Sequence, residues 1–379
     1  MEPTSLLRLA LTSLVIALLP LSWWWLSQRR AALRARLSAL TLLTLFLTFD
    51  LIVFGSFTRL TDSGLGCPDW PGCYGLADPL AAAEPISAAQ AALPSGPVTH
   101  SKAWIEMIHR YWAMAVGVLI LVAAWMGWRR RRELPLAPWW PLATLAWVIA
   151  QGLFGKYTVT QKLYPAVVTL HLLGGLVLLA LLVRQHEAYR TKNARVPVHR
   201  LLVAVALGVL FVQAALGGWV STNYAVLACS GFPQCNGQWW PEMDAARGFE
   251  ILRHLGRSAD GGFLPVQALV AIQLTHRLFA LVAVVALVML VVALRRSADS
   301  AAVRYAWALI GLLALQLISG ISNVVLDWPL AAALVHSAGA AALIGILVSL
   351  WARSSVPRAA VGAGRIDSDH ARTGRGPGS

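Results

Sequence analysis

Apolar stretches of about 20 residues recur from one end of this chain to the other, each long enough to cross the hydrocarbon core of a bilayer as a helix. Nine stretches qualify, at 6–27, 37–58, 104–127, 138–157, 166–184, 201–222, 267–294, 305–326 and 331–352. They leave little polar surface: 13% of the 379 residues are charged, about half the share in a typical soluble domain. The pattern excludes an ordinary soluble enzyme, a disordered chain and a protein held by a single anchor. The expected fold is an all-α polytopic membrane protein.

The net charge of +14 is not spread evenly. Arg29, Arg30, Arg34 and Arg36 follow the first stretch, and Arg129 to Arg132 follow the third. Arg184, Arg190, Lys192, Arg195 and Arg200 follow the fifth, Arg295, Arg296 and Arg304 the seventh, and the tail is arginine-rich. Every second connection is therefore basic, which places those connections and the C-terminus in the cytoplasm. The charge orients the chain in a membrane, so lipid is an expected partner and nucleic acid is not. The first stretch reads either as a cleaved signal peptide or as a retained helix with its N-terminus outside. Retention fits the charge alternation better. The tail 353–379 has no apolar period and is expected to be disordered.

Two connections on the outer side are long, 59–103 and 223–266. In the first, Ala77 to Pro97 reads as weakly structured. In the second, Phe249, Leu252 and Leu255 suggest a short surface helix. Trp23 to Trp25, Trp104, Trp128, Trp139, Trp140, Trp239 and Trp240 fall at span ends, as an interfacial aromatic belt would.

The chain also repeats itself at an offset of about 165 residues. Cys67-Pro-Asp-Trp-Pro-Gly-Cys73 follows the second span, and Cys229-Ser-Gly-Phe-Pro-Gln-Cys235 follows the sixth. Gln151 and Gly155 precede His171 at the same spacing as Gln316 and Gly320 precede His336, and His109-Arg110 pairs with His276-Arg277. The expected organisation is an extra N-terminal helix and cytoplasmic linker (1–36), two pseudo-symmetric four-helix units in tandem (37–184 and 201–352), and the tail (353–379).

Of nine histidines, five fall in connections or the tail, where a solvated side chain is the ordinary reading. His109, His171, His276 and His336 lie inside spans. One intramembrane histidine can be a polar residue satisfied between helices. Four, on every second helix and at matching repeat positions, point to a function. Each lies roughly 8–14 Å from the outer end of its span. Two imidazoles at equal depth in a four-helix unit suit bis-axial ligation of a haem iron. Zinc would need three or four clustered ligands, and each half offers two histidines.

The repeat breaks at an informative place. Glu106 stands one helical turn before His109, whereas Gln273 stands before His276. A carboxylate in one half only suggests a reacting site there, where it could accept a proton or stabilise developing positive charge. The bland alternative is an inert interfacial side chain. Arg59, Arg110 and Arg277 are expected either at haem propionates or snorkelling to the interface. Pairing within each Cys-x5-Cys, Cys67 with Cys73 and Cys229 with Cys235, is the simplest arrangement in an oxidising compartment; a redox role for the first pair stays open.

Taken together, these residues resemble the haem A synthase family of membrane enzymes. The resemblance rests on Thr58-Arg59-Leu-Thr-Asp-Ser-Gly-Leu-Gly66-Cys67, Glu106-Met-Ile-His109-Arg110, Thr169-Leu-His171, Gln213-Ala-Ala-Leu-Gly217-Gly218, Thr275-His276-Arg277 and Val335-His336-Ser337. It covers roughly 40–350 and leaves out the first span and the tail. It implies two four-helix bundles in the bacterial inner membrane, haem sites toward the periplasm, and a part in cytochrome oxidase assembly. Substrate haem O would lie between His109 and His171, and a prosthetic haem b would be ligated by His276 and His336. Glu106 would be the functional carboxylate, and the C8 methyl of haem O would pass through an alcohol to an aldehyde. Haem O synthase, an unidentified electron acceptor and a second copy of the chain are partners that such an enzyme could have. The rival readings are a di-haem b cytochrome passing electrons from quinol, which leaves Glu106 against Gln273 unexplained, and a haem-free transporter built on parallel repeats.

Overall fold

The computed structural model describes residues 3–190 and 195–355. Lys192 and residues 356–379, where most of the tail expected to be disordered falls, lie outside the described residues. Among the described residues are nine long helices: α1 (Pro3–Gln28), α2 (Leu33–Leu60), α4 (His100–Arg129), α5 (Trp139–Thr160), α6 (Pro165–Tyr189), α7 (Arg200–Thr222), α9 (Val266–Arg295), α10 (Ser300–Val325) and α11 (Leu330–Arg353). Two shorter helices, α3 (Ala83–Ala92) and α8 (Ala245–Gly248), lie in the long connections. Two-residue strands β1 (Val196–Pro197) and β2 (Ser354–Ser355) pair in parallel. The shortest long helix has 22 residues, about 33 Å at 1.5 Å per residue.

Eight of the nine long helices are long and apolar enough to cross a membrane. The exception is α5, whose Gln151, Lys156 and Tyr157 dilute an otherwise apolar run. It packs with the rest all the same. Helices α2, α4, α5 and α6 form one closed ring, each touching the next, and α7, α9, α10 and α11 form a second. The rings meet where α6 and α2 contact α11 and where α6 contacts α7, while α1 lies outside, against α4 and α2. The two tandem four-helix bundles and the additional helix are thus all in place.

Lipid is as apolar as leucine, so packing between these helices depends on close approach rather than on escape from water. Small residues at the contacts show it: Ala302, Ala306 and Ala341 are fully buried among Leu287, Leu290 and Leu347. On the outer surfaces Leu19, Leu281, Val285 and Ile318 are exposed to what would be lipid. The repeat extends to the backbone. Asp62 after α2 and Tyr224 after α7 both take left-handed conformations, as do Lys162 and Leu163 after α5 and Asp327 and Trp328 after α10.

The arginine-rich end is also ordered. Arg34 donates to the carbonyl oxygens of Ala188, Tyr189 and Arg190, at 3.2, 3.0 and 2.7 Å. A cation there satisfies acceptors left over at the C-terminus of α6. Ser354 and Ser355 pair with Val196 and Pro197, so the first residues of the tail are held.

Three expectations need correction. The Ala77 to Pro97 stretch contains a regular helix, α3, because alanines over Ala83–Ala92 favour it and Ile86 anchors it by full burial. The pattern at Phe249, Leu252 and Leu255 forms no helix: the helical turn ends at Gly248, and Leu252 is exposed. Trp24 is no belt residue. It is buried and donates through Nε1 to the Arg36 carbonyl oxygen at 2.9 Å.

Candidate functional site

The four intramembrane histidines divide as the repeat requires. His109 on α4 and His171 on α6 belong to the first ring; His276 on α9 and His336 on α11 belong to the second. They stand between about 9 and 15 Å along their helices from the end that bears the disulfide loops.

A glycine on the neighbouring helix makes room for each ring. A Cβ at Gly55 would lie 3.0 Å from Cε1 of His109, and one at Gly217 would lie 3.0 Å from Cε1 of His276. The same relation joins Gly155 to His171 at 3.5 Å and Gly320 to His336 at 3.1 Å. The spacing from glutamine through glycine to histidine that the two halves share now has a cause. Gln151 and Gln316 fill the space over Gly174 and Gly339, one turn beyond each histidine, where a Cβ would collide with the amide. Gln316 also donates to the His336 carbonyl oxygen at 2.8 Å.

Side-chain partners differ between the rings. In the second, Ser319 Oγ lies 3.1 Å from Nδ1 of His336, and Gln213 Nε2 lies 3.2 Å from Nδ1 of His276. In the first, His109 stacks on Phe54, with ring centroids 6.2 Å apart and planes 13° from parallel. Among the described residues, Nδ1 of His109 and Nδ1 of His171 are buried with no hydrogen-bond partner.

Both disulfides form, Cys67–Cys73 and Cys229–Cys235. Each closes a tight loop over its ring, and each loop is clamped from below by the arginine that follows the first histidine. Arg110 donates to the carbonyl oxygens of Asp69 and Gly72 at 2.9 and 2.6 Å. Arg277 donates to those of Gly231 and Gln234 at 3.0 and 3.3 Å, the equivalent positions of the repeat, and to Cys229 at 2.7 Å. Glu106 is buried, paired with Arg110, and accepts from the Cys67 backbone N–H at 2.7 Å. Gln273 takes its place in the second half and donates to the Val226 carbonyl oxygen at 3.1 Å.

The arginines therefore have partners other than those expected. A tight loop exposes carbonyl oxygens that need donors, and the guanidinium fork of Arg110 and of Arg277 supplies them. Arg59 joins the two halves: it donates to Tyr224 Oη and to the Ser221 carbonyl oxygen, each at 2.7 Å, and its guanidinium lies 4.0 Å from the Tyr224 ring centroid. Tyr224 in turn donates to Asp62 at 2.6 Å, and burial holds its phenol above the ordinary value, so it remains a donor.

Gly55, Phe54 and Ser319 were not singled out in the sequence. The repeat offset could have found Gly55, since Gly55 and Gly217 stand at the same place relative to Cys67 and Cys229, whereas Phe54 and Ser319 have no like residue in the other half. The contacts predict unequal costs of substitution. Gly217→Val should displace the His276 imidazole and sharply reduce bound haem, measured by absorption of the purified protein. Gly155→Ala, whose new methyl meets His171 at ordinary contact distance, should be nearly neutral in the same measurement.

The family model for COX15-CtaA, described as cytochrome oxidase assembly protein, matches residues 38–348. A heme A synthase of Shewanella oneidensis is 40% identical over 332 residues, covering 84% of this chain and 98% of its own. Heme A synthases of a Methylobacterium species and of Rhizobium rhizogenes are 31% and 30% identical, covering 84% and 80% of this chain and 93% and 85% of theirs.

Proposed function

The chain belongs to the COX15-CtaA family of cytochrome oxidase assembly proteins, and from that premise we propose that it oxidises haem O to haem A. The C8 methyl group of the substrate would pass to a hydroxymethyl and then to a formyl group, each a two-electron oxidation. The chain would act in the bacterial inner membrane, with the disulfide loops facing the periplasm and the arginine-rich end the cytoplasm. The observation that carries the reading is the doubled histidine pair, each ring seated against a glycine, with a carboxylate beside one pair only.

In this reading the first ring is the substrate half. His109 and His171 would hold haem O through imidazole nitrogens, a common ligand type for haem iron; Nδ1 of each is buried with no hydrogen-bond partner among the described residues. Glu106, one turn from His109, is paired with Arg110 and accepts from the Cys67 N–H. There it can accept a proton released as the substrate methyl is oxidised, or favour positive charge developing on that carbon. The Cys67–Cys73 loop lies beside Glu106, clamped by Arg110.

The second ring is the cofactor half, and its residues fit a haem b. His276 and His336 belong to one bundle, and the hydroxyl of Ser319 holds Nδ1 of His336 so that Nε2 is the nitrogen left for iron. A haem b bound there supplies one-electron redox chemistry. The test is extraction and chromatography of porphyrins from protein purified from a host that makes haem O. Haem b together with haem O, its hydroxylated form or haem A is the expected result. Haem b alone, with no converted product in the cells, would leave electron transfer as the function.

A further inference from the structure

An enzyme whose substrate, product and cofactor are all haems must hold one of them permanently and let the others pass. With like folds and the same ligand type in both bundles, the distinction has to lie in what surrounds the histidines. Resting on the reading above, we propose that Gln213 and Ser319 are positioning residues that make the second histidine pair a permanent haem site. Leu51 and Phe154, their counterparts in the first bundle, leave that pair free to exchange its substrate.

The assignment of counterparts follows from the glycines. Gly55 and Gly217 occupy equivalent places against His109 and His276, so Leu51 and Gln213, each four residues earlier, also correspond. Gly155 and Gly320 are equivalent against His171 and His336, so Phe154 corresponds to Ser319. Both substitutions run the same way. A side chain able to hydrogen-bond in the second bundle is replaced by a hydrocarbon in the first.

The chemistry at Ser319 is fixed by counting hydrogens. A hydroxyl has one, and Ser319 donates it to the Leu315 carbonyl oxygen at 2.6 Å. Its 3.1 Å contact with His336 Nδ1 must therefore be an accepting one. The imidazole is an Nδ1–H donor there, and the lone pair on Nε2 is aimed for a metal. Gln213 does the same work at His276. Its Nε2 is 3.2 Å from Nδ1, while its Oε1 is buried with no partner among the described residues. Amide oxygen and nitrogen are interchangeable by rotation, and turning this one over places Oε1 on an Nδ1–H in exchange for the amide's 3.3 Å donation to the His276 carbonyl oxygen. In the first bundle the Nδ1 atoms of His109 and His171 have no such acceptor among the described residues. An acceptor at the distal nitrogen fixes the ring and raises its basicity, and losing one typically costs metal affinity about 10–100-fold.

The experiment follows transfer of haem b from the full-length detergent-solubilised protein to excess apomyoglobin, together with the haem reduction potential. Ser319→Ala and Gln213→Leu should each speed transfer by about 10–100-fold and raise the potential, since a more basic imidazole favours ferric iron. Ser319→Thr, which keeps the hydroxyl, should restore both. The reciprocal pair, Leu51→Gln with Phe154→Ser, leaves the second bundle untouched and should slow release of haem O from the first. Unchanged transfer and potential in both second-bundle variants, with His336→Ala devoid of haem b, would overturn this inference alone. Haem b retained in His336→Ala would overturn the reading on which it rests.

Discussion

Replacing His336 by alanine should strip the purified protein of haem b, and His276→Ala should do the same. Each imidazole sits within a bundle against a glycine, Gly320 or Gly217, at a distance that admits no larger side chain without displacement. Alanine leaves that space unfilled and removes an axial ligand. The loss must exceed the roughly 10–100-fold that removal of an outer partner costs. His109→Ala and His171→Ala should behave differently: haem b stays, and haem O no longer co-purifies. Absorption spectra and porphyrin extraction of the four variants check both statements. A haem b spectrum unaltered in His336→Ala would mean that its ligands lie elsewhere in the chain.

The contrast between the two pairs was only partly legible in the sequence. Spans, repeat, histidine pairs and disulfides could all be read there, because each rests on residue types that are rare or periodic in lipid. His109 and His336 announce themselves by the cost of an ionisable group in hydrocarbon. Ser319 and Gln213 do not, since a serine or glutamine within a span is common and its partner lies on another helix. The loop partners of the arginines were hidden for a related reason. Hydropathy says that Arg110 and Arg277 sit near a span end, but the carbonyl oxygens that occupy them come from loops folded back by Cys67–Cys73 and Cys229–Cys235. Helix α3 was missed because its alanines carry little period, and the one residue that anchors it, Ile86, is buried by tertiary contact.

The second large effect falls on Glu106. Glu106→Gln should abolish conversion of haem O, a loss of about 10²–10⁴-fold if the carboxylate moves a proton, while leaving haem b and its spectrum unchanged. The obvious objection is structural. Glu106 is buried, holds the Cys67 N–H and is paired with Arg110, and removing one partner of a buried ion pair costs about 3–5 kcal/mol. The second bundle answers it within the same chain. There Arg277 grips the carbonyl oxygens of Gly231 and Gln234, the equivalents of Asp69 and Gly72, with Gln273 in the place of Glu106. A disulfide loop of this design is therefore clamped without a carboxylate, and glutamine at 106 still offers an oxygen to the Cys67 N–H. What glutamine cannot supply is the charge, and the charge is what distinguishes the bundle proposed to bind substrate. The variant should accordingly keep Cys67 and Cys73 closed to thiol reagents and keep its unfolding temperature within a few degrees. Conversion retained in such an intact variant would remove Glu106 from the chemistry and leave it a brace.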